Sequence, residues 1–101
     1  MFVVKALKIN NQETIKKFNY RHRKLYQELI WDYQRLISIK DYTNSINVRV
    51  FPCSRVIIAD YDSLSEAYKI AEVAEEAEKE IITNIGRTNE YESNNFSNLK
   101  Q

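Results

Sequence analysis

A stretch of 29 residues, 12–40, contains neither glycine nor proline, and this stretch most constrains how the chain can fold. Residues that lie on one face of a helix recur in steps of three and four. This stretch has that spacing at Ile15, Phe18, His22, Leu25, Leu29, Tyr33 and Leu36. The pattern predicts one helix of about 43 Å at 1.5 Å per residue. That is long for a 12.0 kDa chain, so we expect the helix either to overhang the body or to break once. A polar cluster, 41–45, predicts a turn after it.

Short runs rich in β-branched and aromatic residues are typical of strands. Four strands are predicted, over residues 2–9, 46–51, 55–61 and 87–92. Pro52 cannot donate a ladder hydrogen bond, so it marks the turn of a hairpin between the second and third strands. Ser63 and Glu66 have the spacing of a capping box, which predicts a second helix over 64–83 that Gly86 terminates.

These elements follow the order β-α-β-β-α-β, which predicts an α+β domain with the ferredoxin-like fold. One antiparallel sheet would carry both helices on a single face, in a single domain over 1–92 that is followed by a flexible C-terminal tail over 93–101. The first and third strands are apolar on both sides, so the other sheet face needs a cover. The simplest way to bury that face is to stack it on the same sheet face of a second copy, which predicts a homodimer.

The run from Arg55 to Ala67, RVIIADYDSLSEA, resembles a junction of the dimeric α+β barrel superfamily. In that junction an acidic-aromatic pair ends a strand and D-S-L-x-E-A opens a helix, as in NIPSNAP-like and antibiotic-biosynthesis-monooxygenase-like proteins. The resemblance implies a ferredoxin-like protomer, two sheets paired into a barrel, and a small cavity between sheet and helices. It carries over no catalytic residue, because these families share no single catalytic motif.

The charge is unevenly distributed along the chain. Residues 1–58 carry eleven Lys or Arg against four Asp or Glu, a net charge of +7, whereas residues 59–101 carry four against ten, a net charge of −6. Cations interleaved with aromatic residues suit single-stranded nucleic acid, and the candidate phosphate-binding residues are Lys16, Lys17, Arg21, Arg23 and Lys24. We favour the alternative in which the basic and acidic segments are complementary neighbouring helices, because a nearby acidic helix weakens the binding of a polyanion.

Three residues are candidates for lining the cavity, namely His22, Tyr26 and Arg55. His22, with Tyr26 one turn further on, could act as an acid, a base or a ligand-orienting group. A half-buried histidine satisfied by one hydrogen bond is the more common arrangement and is favoured here. With one His and one Cys we expect no metal site, with one Gly we expect no phosphate-binding loop, and no cofactor is therefore expected.

Tyr20 and Trp31 are candidate interface residues, because both fall away from the apolar stripe of the predicted helix. Aromatic side chains concentrate at the energetic centres of protein interfaces. No apolar run approaches the roughly 18 residues that span a bilayer. Lys5 and Lys8 interrupt the first apolar run, which argues against a signal peptide. A cytoplasmic protein without membrane contact is therefore expected.

These residues assign no reaction, and whether the chain is an enzyme is left open. We expect a small cytoplasmic homodimer that binds a small apolar ligand or a protein partner. One alternative is a nucleic-acid-binding module that uses the basic surface between Lys16 and Lys24. The other alternative, which the family resemblance implies, is a cofactor-independent monooxygenase-like enzyme.

Overall fold

The computed structural model describes the backbone of residues 2–100 and the side chains of residues 3–83. Within that part the chain forms six helices: α1 (Phe2–Ala6), α2 (Ile15–Glu28), α3 (Trp31–Gln34), α4 (Ile39–Ser45), α5 (Val50–Ala59) and α6 (Leu64–Lys100). No strand occurs among residues 2–100, so the fold is all-α. The predicted α+β fold, a ferredoxin-like βαββαβ sheet with two helices on one face, is therefore wrong.

The first predicted strand, 2–9, is instead α1 followed by residues without regular secondary structure. Val4 of α1 is buried in the core. The Ile9 N–H, beyond α1, donates to the Ser45 carbonyl at the end of α4 (3.1 Å). β-Branched residues favour strands mainly because they pack well on a pleated, half-buried surface. Here a helical core buries Val4 and Ile9, while Val3 stays exposed, so the preference of these residues for strands is overridden.

The long helix predicted over 12–40 breaks twice rather than once. α2 ends at Glu28 because Leu29 takes an extended backbone conformation (φ −75°, ψ 143°). After the short α3, a capping box starts α4: Ser38 Oγ accepts from the Asp41 N–H (3.1 Å), and Asp41 Oδ2 accepts from the Ser38 N–H (2.9 Å). The polar cluster that begins at Asp41 therefore forms a helix, and the turn predicted there is wrong.

The predicted hairpin over 46–61 is replaced by α5. Pro52 is the third residue of α5, where a backbone N–H would have no intrahelical acceptor, so proline is tolerated there. The helix ends at Asp60, which takes the left-handed conformation (φ 52°, ψ 43°) and donates its N–H to the Val56 carbonyl. Aspartate adopts that conformation more readily than most residues do.

The prediction of a helix beginning at Leu64 is confirmed, and the Ala67 N–H donates to the Ser63 carbonyl (3.0 Å). The helix is longer than predicted. It continues through Gly86, which does not terminate it, and through the predicted edge strand over 87–92, which is wrong.

The predicted division into a domain over 1–92 and a flexible tail over 93–101 stays a prediction. Gln101 and the side chains beyond residue 83 lie outside the described residues. Among the described helices, none combines the length and the hydropathy needed to cross a bilayer. The predicted cytoplasmic location also stays a prediction.

The all-α fold overturns the resemblance to the dimeric α+β barrel superfamily. The run from Arg55 to Ala67 spans the end of α5, a short linker and the start of α6. No sheet exists among residues 2–100, so neither a pairing of two sheets nor a cavity between sheet and helices can form there. The argument for a homodimer and the monooxygenase-like alternative both rested on that sheet.

The core lies where α6 packs against α2, α4 and α5. α6 presents the small buried residues Ala67, Ala71 and Ala74 to its neighbours, which lets the helices approach closely. Tyr42 of α4 packs edge-on against Tyr68 of α6, with the ring centroids 5.1 Å apart. Tyr42 of α4 therefore packs against the side of α6 that carries the buried alanines.

A buried carboxylate joins three parts of this fold. Glu75 of α6 accepts from the Ile15 N–H at the start of α2 through both oxygens (3.0 and 3.2 Å). Arg49, the N-cap residue of α5, donates to the same carboxylate (3.2 Å) and to three backbone carbonyls in the loop 10–13. We call Ile15, Arg49 and Glu75 the Glu75 anchor.

Replacing Glu75 by alanine is expected to lower the free energy of unfolding by about 3 kcal/mol, because it leaves a half-buried Arg49 and the Ile15 N–H without their acceptor. Denaturant unfolding followed by circular dichroism measures the change. Glu76→Ala is the matched control: Glu76 is exposed and, among the described side chains, forms an ion pair only with Lys79 (3.6 Å). Its expected cost is below about 0.5 kcal/mol, and equal costs for the two variants would contradict the anchor.

Candidate functional site

A largely apolar groove of about 410 Å³ lies between α5 and α6, and we call it the α5–α6 groove. Both helices contribute apolar side chains to it: Ile58, Ala59, Ile70, Val73 and Ala74. The remaining lining residues are polar or aromatic: Arg55, Tyr61, Glu66 and Lys69. An apolar recess with a few charged groups around it is the usual composition of a site that binds another molecule.

The groove exists because α5 is apolar on more than one side. Cys53 and Val56 are buried against the core. Ile58 lies on another side, lines the groove and is 71% exposed. Val73 of α6 lines the same groove and is 61% exposed. Large apolar side chains exposed next to one another mark association sites in small domains.

The charged residues of the groove have both signs. Arg55 and Lys69 contribute two cations and Glu66 contributes one carboxylate. None of these three forms an ion pair within 4.0 Å with any side chain that the structure describes. The Arg55 guanidinium lies 5.3 Å from the centroid of the Phe51 ring. All three charged groups can therefore pair with charges on a bound molecule.

The three predicted cavity residues are not brought together. Arg55 lines the α5–α6 groove, and neither His22 nor Tyr26 does. His22 is completely buried on the core side of α2, and Tyr26 is half-buried one turn further along the same helix. His22 and Tyr26 thus share a helix, while Arg55 belongs to a different surface.

His22 sits among aromatic rings of the core. Its Nδ1 shares a hydrogen bond with the Tyr68 hydroxyl (2.5 Å), and the Tyr42 and Tyr68 rings both pack edge-on against it. Its Nε2 has no hydrogen-bond partner among the described residues. Burial lowers the pKa of His22 from 6.5 to about 4, so the imidazole is neutral near pH 7. Burial also raises the pKa of both tyrosines above its ordinary value.

The predicted phosphate-binding residues separate into two groups. Four of them are exposed: Lys16, Lys17, Arg23 and Lys24, of which Arg23 places its guanidinium 5.1 Å from the centroid of the Tyr68 ring of α6. Arg21 is instead half-buried and donates through Nε and Nη2 to the Glu13 carboxylate (2.6 and 2.7 Å). That contact lowers the pKa of Glu13 and raises the pKa of Arg21. Arg21 therefore serves the fold, whereas the other four cations are exposed to solvent.

The two candidate interface aromatics, Tyr20 and Trp31, both lie at the surface, 69% and 70% exposed. Tyr20 is on α2, among the exposed cations. Trp31 begins α3, and the Arg35 guanidinium lies 5.2 Å from its ring centroid. A role of either residue in an interface stays a prediction.

The single cysteine is part of the core. The Cys53 thiol donates to the Thr43 carbonyl (3.4 Å), and burial raises its pKa. A thiol in such a place is a poor nucleophile. In the part of the chain that the structure describes, no group of three or more His, Cys, Asp or Glu side chains is placed to hold a metal ion.

The sequence patterns missed most of the α5–α6 groove. Ile58 falls in the apolar centre of a predicted strand. A continuous apolar run is also compatible with a helix that leaves one apolar side uncovered. Val73 falls beside the apolar stripe of α6 rather than on it. The groove could have been located by predicting a helix over residues 50–59, because proline is favoured in the first turn of a helix and Pro52 lies there.

Comparison with protein-family models, with curated proteins and with solved structures finds no match to this chain.

The stability of the domain is expected to fall by about 2 kcal/mol between pH 7 and pH 5. His22 is the only histidine, and its pKa is lower when folded (about 4) than its ordinary value of 6.5. The unfolded chain therefore binds a proton that the folded chain excludes, so this stability is complete above pH 6.5 and is lost as the pH falls toward 4. Urea unfolding at several pH values measures the loss.

His22→Phe is the control for this pH dependence. The variant is less stable overall, because the Tyr68 hydroxyl loses its partner, but its stability should be nearly flat from pH 7 to pH 5. The carboxylates with lowered pKa, Glu13 and Asp41, contribute only below that range. A flat profile for the unmodified chain would show that His22 is not buried in its neutral form.

Proposed function

We propose that this chain is a protein-association module and that the α5–α6 groove binds the same groove of a second copy. The observation that carries the proposal is the exposure of Ile58 and Val73 around one groove. Covering these side chains removes apolar surface from water, at about 25 cal/mol per Å². In a twofold dimer the same residue is buried in both copies, so its contribution to the free energy of dimerisation counts twice.

The charges around the groove favour a second copy as its occupant. A twofold interface brings the same patch of both copies together, so the patch must complement itself. The α5–α6 groove has Arg55 and Lys69 as cations and Glu66 as an anion, without ion pairs among the described side chains. With the two α6 helices antiparallel, Glu66 of one copy can face the cations of the other.

The geometry of the groove also favours a helix over a small ligand. The groove is bounded by two helices, α5 and α6. A helix from a second copy can lie along it and bury apolar side chains of both, which is how helix-in-groove recognition works. Residues 64–83 of α6 give such a contact a surface of about 30 Å along the helix axis. The proposal accounts for the apolar second side of α5, which the core does not use.

Val73→Glu is expected to weaken dimerisation by at least about 100-fold, because it places a charge in the buried centre of both copies. Sedimentation equilibrium over a range of protein concentrations measures the dissociation constant, and circular dichroism checks that the fold is kept. Val3→Glu is the matched control: the same substitution at a similarly exposed valine of α1, outside the groove. This control should dimerise like the unmodified chain.

Three results would count against the proposal. A chain that stays monomeric at every concentration has no such dimer. A Val73→Glu variant that dimerises normally places the interface elsewhere. Native mass spectrometry that finds a monomer with an additional small mass would assign the groove to a small apolar ligand instead.

A further inference from the structure

A second surface, on the outer side of α2, differs in chemistry from the α5–α6 groove. α2 carries five Lys or Arg and a single acidic residue, Glu28, at its last position. Its apolar side chains Ile15 and Phe18 are completely buried. At 100° per residue, Tyr20 and Lys24 lie nearly opposite that buried side. We call Lys16, Lys17, Tyr20, Arg23 and Lys24 the basic face.

Of the basic-face cations, only Arg23 makes a described contact with the rest of the fold: its guanidinium lies 5.1 Å from the centroid of the Tyr68 ring of α6. Arg21 and Arg49, by contrast, pair with the acids Glu13 and Glu75. The four cations of the basic face form no ion pair within 4.0 Å with any described side chain. They keep four positive charges around one exposed tyrosine. Unpaired charges of one sign repel one another, and a bound polyanion would relieve that repulsion.

The acidic residues of α6 lie along one edge of the basic face. Asn19 of α2 donates to the Glu72 carboxylate of α6 (2.9 Å), which places α6 on that side of α2. Glu76 lies with Lys16 around a groove between the two helices. Lys17 and Lys24 project from the other side of α2, two turns apart, at about 10.5 Å along its axis. A polyanion can therefore follow the side of Lys17 and Lys24 and avoid the acids.

Tyr20 adds a second kind of contact. Its ring is 69% exposed, and beside it lies a recess of about 510 Å³ that Lys16, Lys17 and the Arg21–Glu13 pair also line. An exposed aromatic ring among cations is the combination by which proteins hold single strands, with the bases stacked on the ring and the phosphates on the cations. A duplex keeps its bases stacked internally and offers this ring no partner.

We propose that the basic face binds single-stranded nucleic acid, with Lys17 and Lys24 on phosphates and Tyr20 stacked on a base. A membrane surface is a poorer partner, because an interfacial helix inserts an apolar face and α2 has already buried its own. The proposal is independent of the α5–α6 groove, and a monomer would bind through the same face.

The test is fluorescence anisotropy of a labelled oligothymidylate of about 20 nucleotides, enough for one stacking site and its flanking phosphates. Tyr20→Ala should weaken binding about tenfold to a hundredfold. The slope of log K against log salt should be about −1.4, from two phosphates at about 0.7 each. Lys17→Gln with Lys24→Gln should reduce the magnitude of that slope by about 1.4, since both of the contacts are gone.

Lys40→Gln with Lys79→Gln is the matched control. It removes the same two charges from exposed positions outside the basic face, and it should bind like the unmodified chain. Equal weakening by both double variants would show that only the overall charge matters and would overturn the proposal.

Three other results would also overturn it. The first is the absence of binding at low salt. The second is duplex binding that is as tight as single-strand binding and is unaffected by Tyr20→Ala, and the third is binding to anionic phospholipid vesicles but not to the oligonucleotide. Circular dichroism of every variant confirms that these surface substitutions keep the fold.

Discussion

The Glu75 carboxylate joins α2, α5 and α6, which no strand pairing connects within residues 2–100. It accepts from the first N–H of α2 and pairs with Arg49, which in turn binds the carbonyls of the loop before α2. A buried carboxylate at a helix N-terminus is favourable because the first N–H groups have no intrahelical acceptor and carry partial positive charge. The paths of α2, α5 and α6 all depend on this one group, so the surfaces between these helices depend on it as well.

Local signals predicted some of the fold correctly. The Ser63 and Glu66 spacing marked the start of α6, and the apolar periodicity of 12–40 marked α2. The strand predictions failed because β-branched residues also pack in a helical core, as Val4 and Val56 do, while others stay exposed on its surface. Pro52 predicts the turn of a hairpin, although it is also suited to a first helical turn. The partners of Glu75 are far apart in sequence, and no local pattern reveals them.

The candidate surfaces were predictable to different degrees. The cations of α2 are visible in the sequence, but only the structure separates Arg21, which is bound to Glu13, from the exposed ones. His22 lies on the predicted stripe, and its burial leaves it a core residue with a lowered pKa. The α5–α6 groove depends on the packing of two helices that were predicted as a hairpin and a helix. Its apolar lining and the basic face lie on different helices, so the two proposals can be tested separately.

The central claim is that the second apolar side of α5 is covered by another copy of the chain. Hydrogen–deuterium exchange with mass spectrometry, at protein concentrations below and above the dimer midpoint, tests it most directly. The amides of α5 and of residues 66–74 should exchange more slowly at the higher concentration, while those of α2 should not change. Exchange rates in α5 and residues 66–74 that are independent of concentration would contradict the claim.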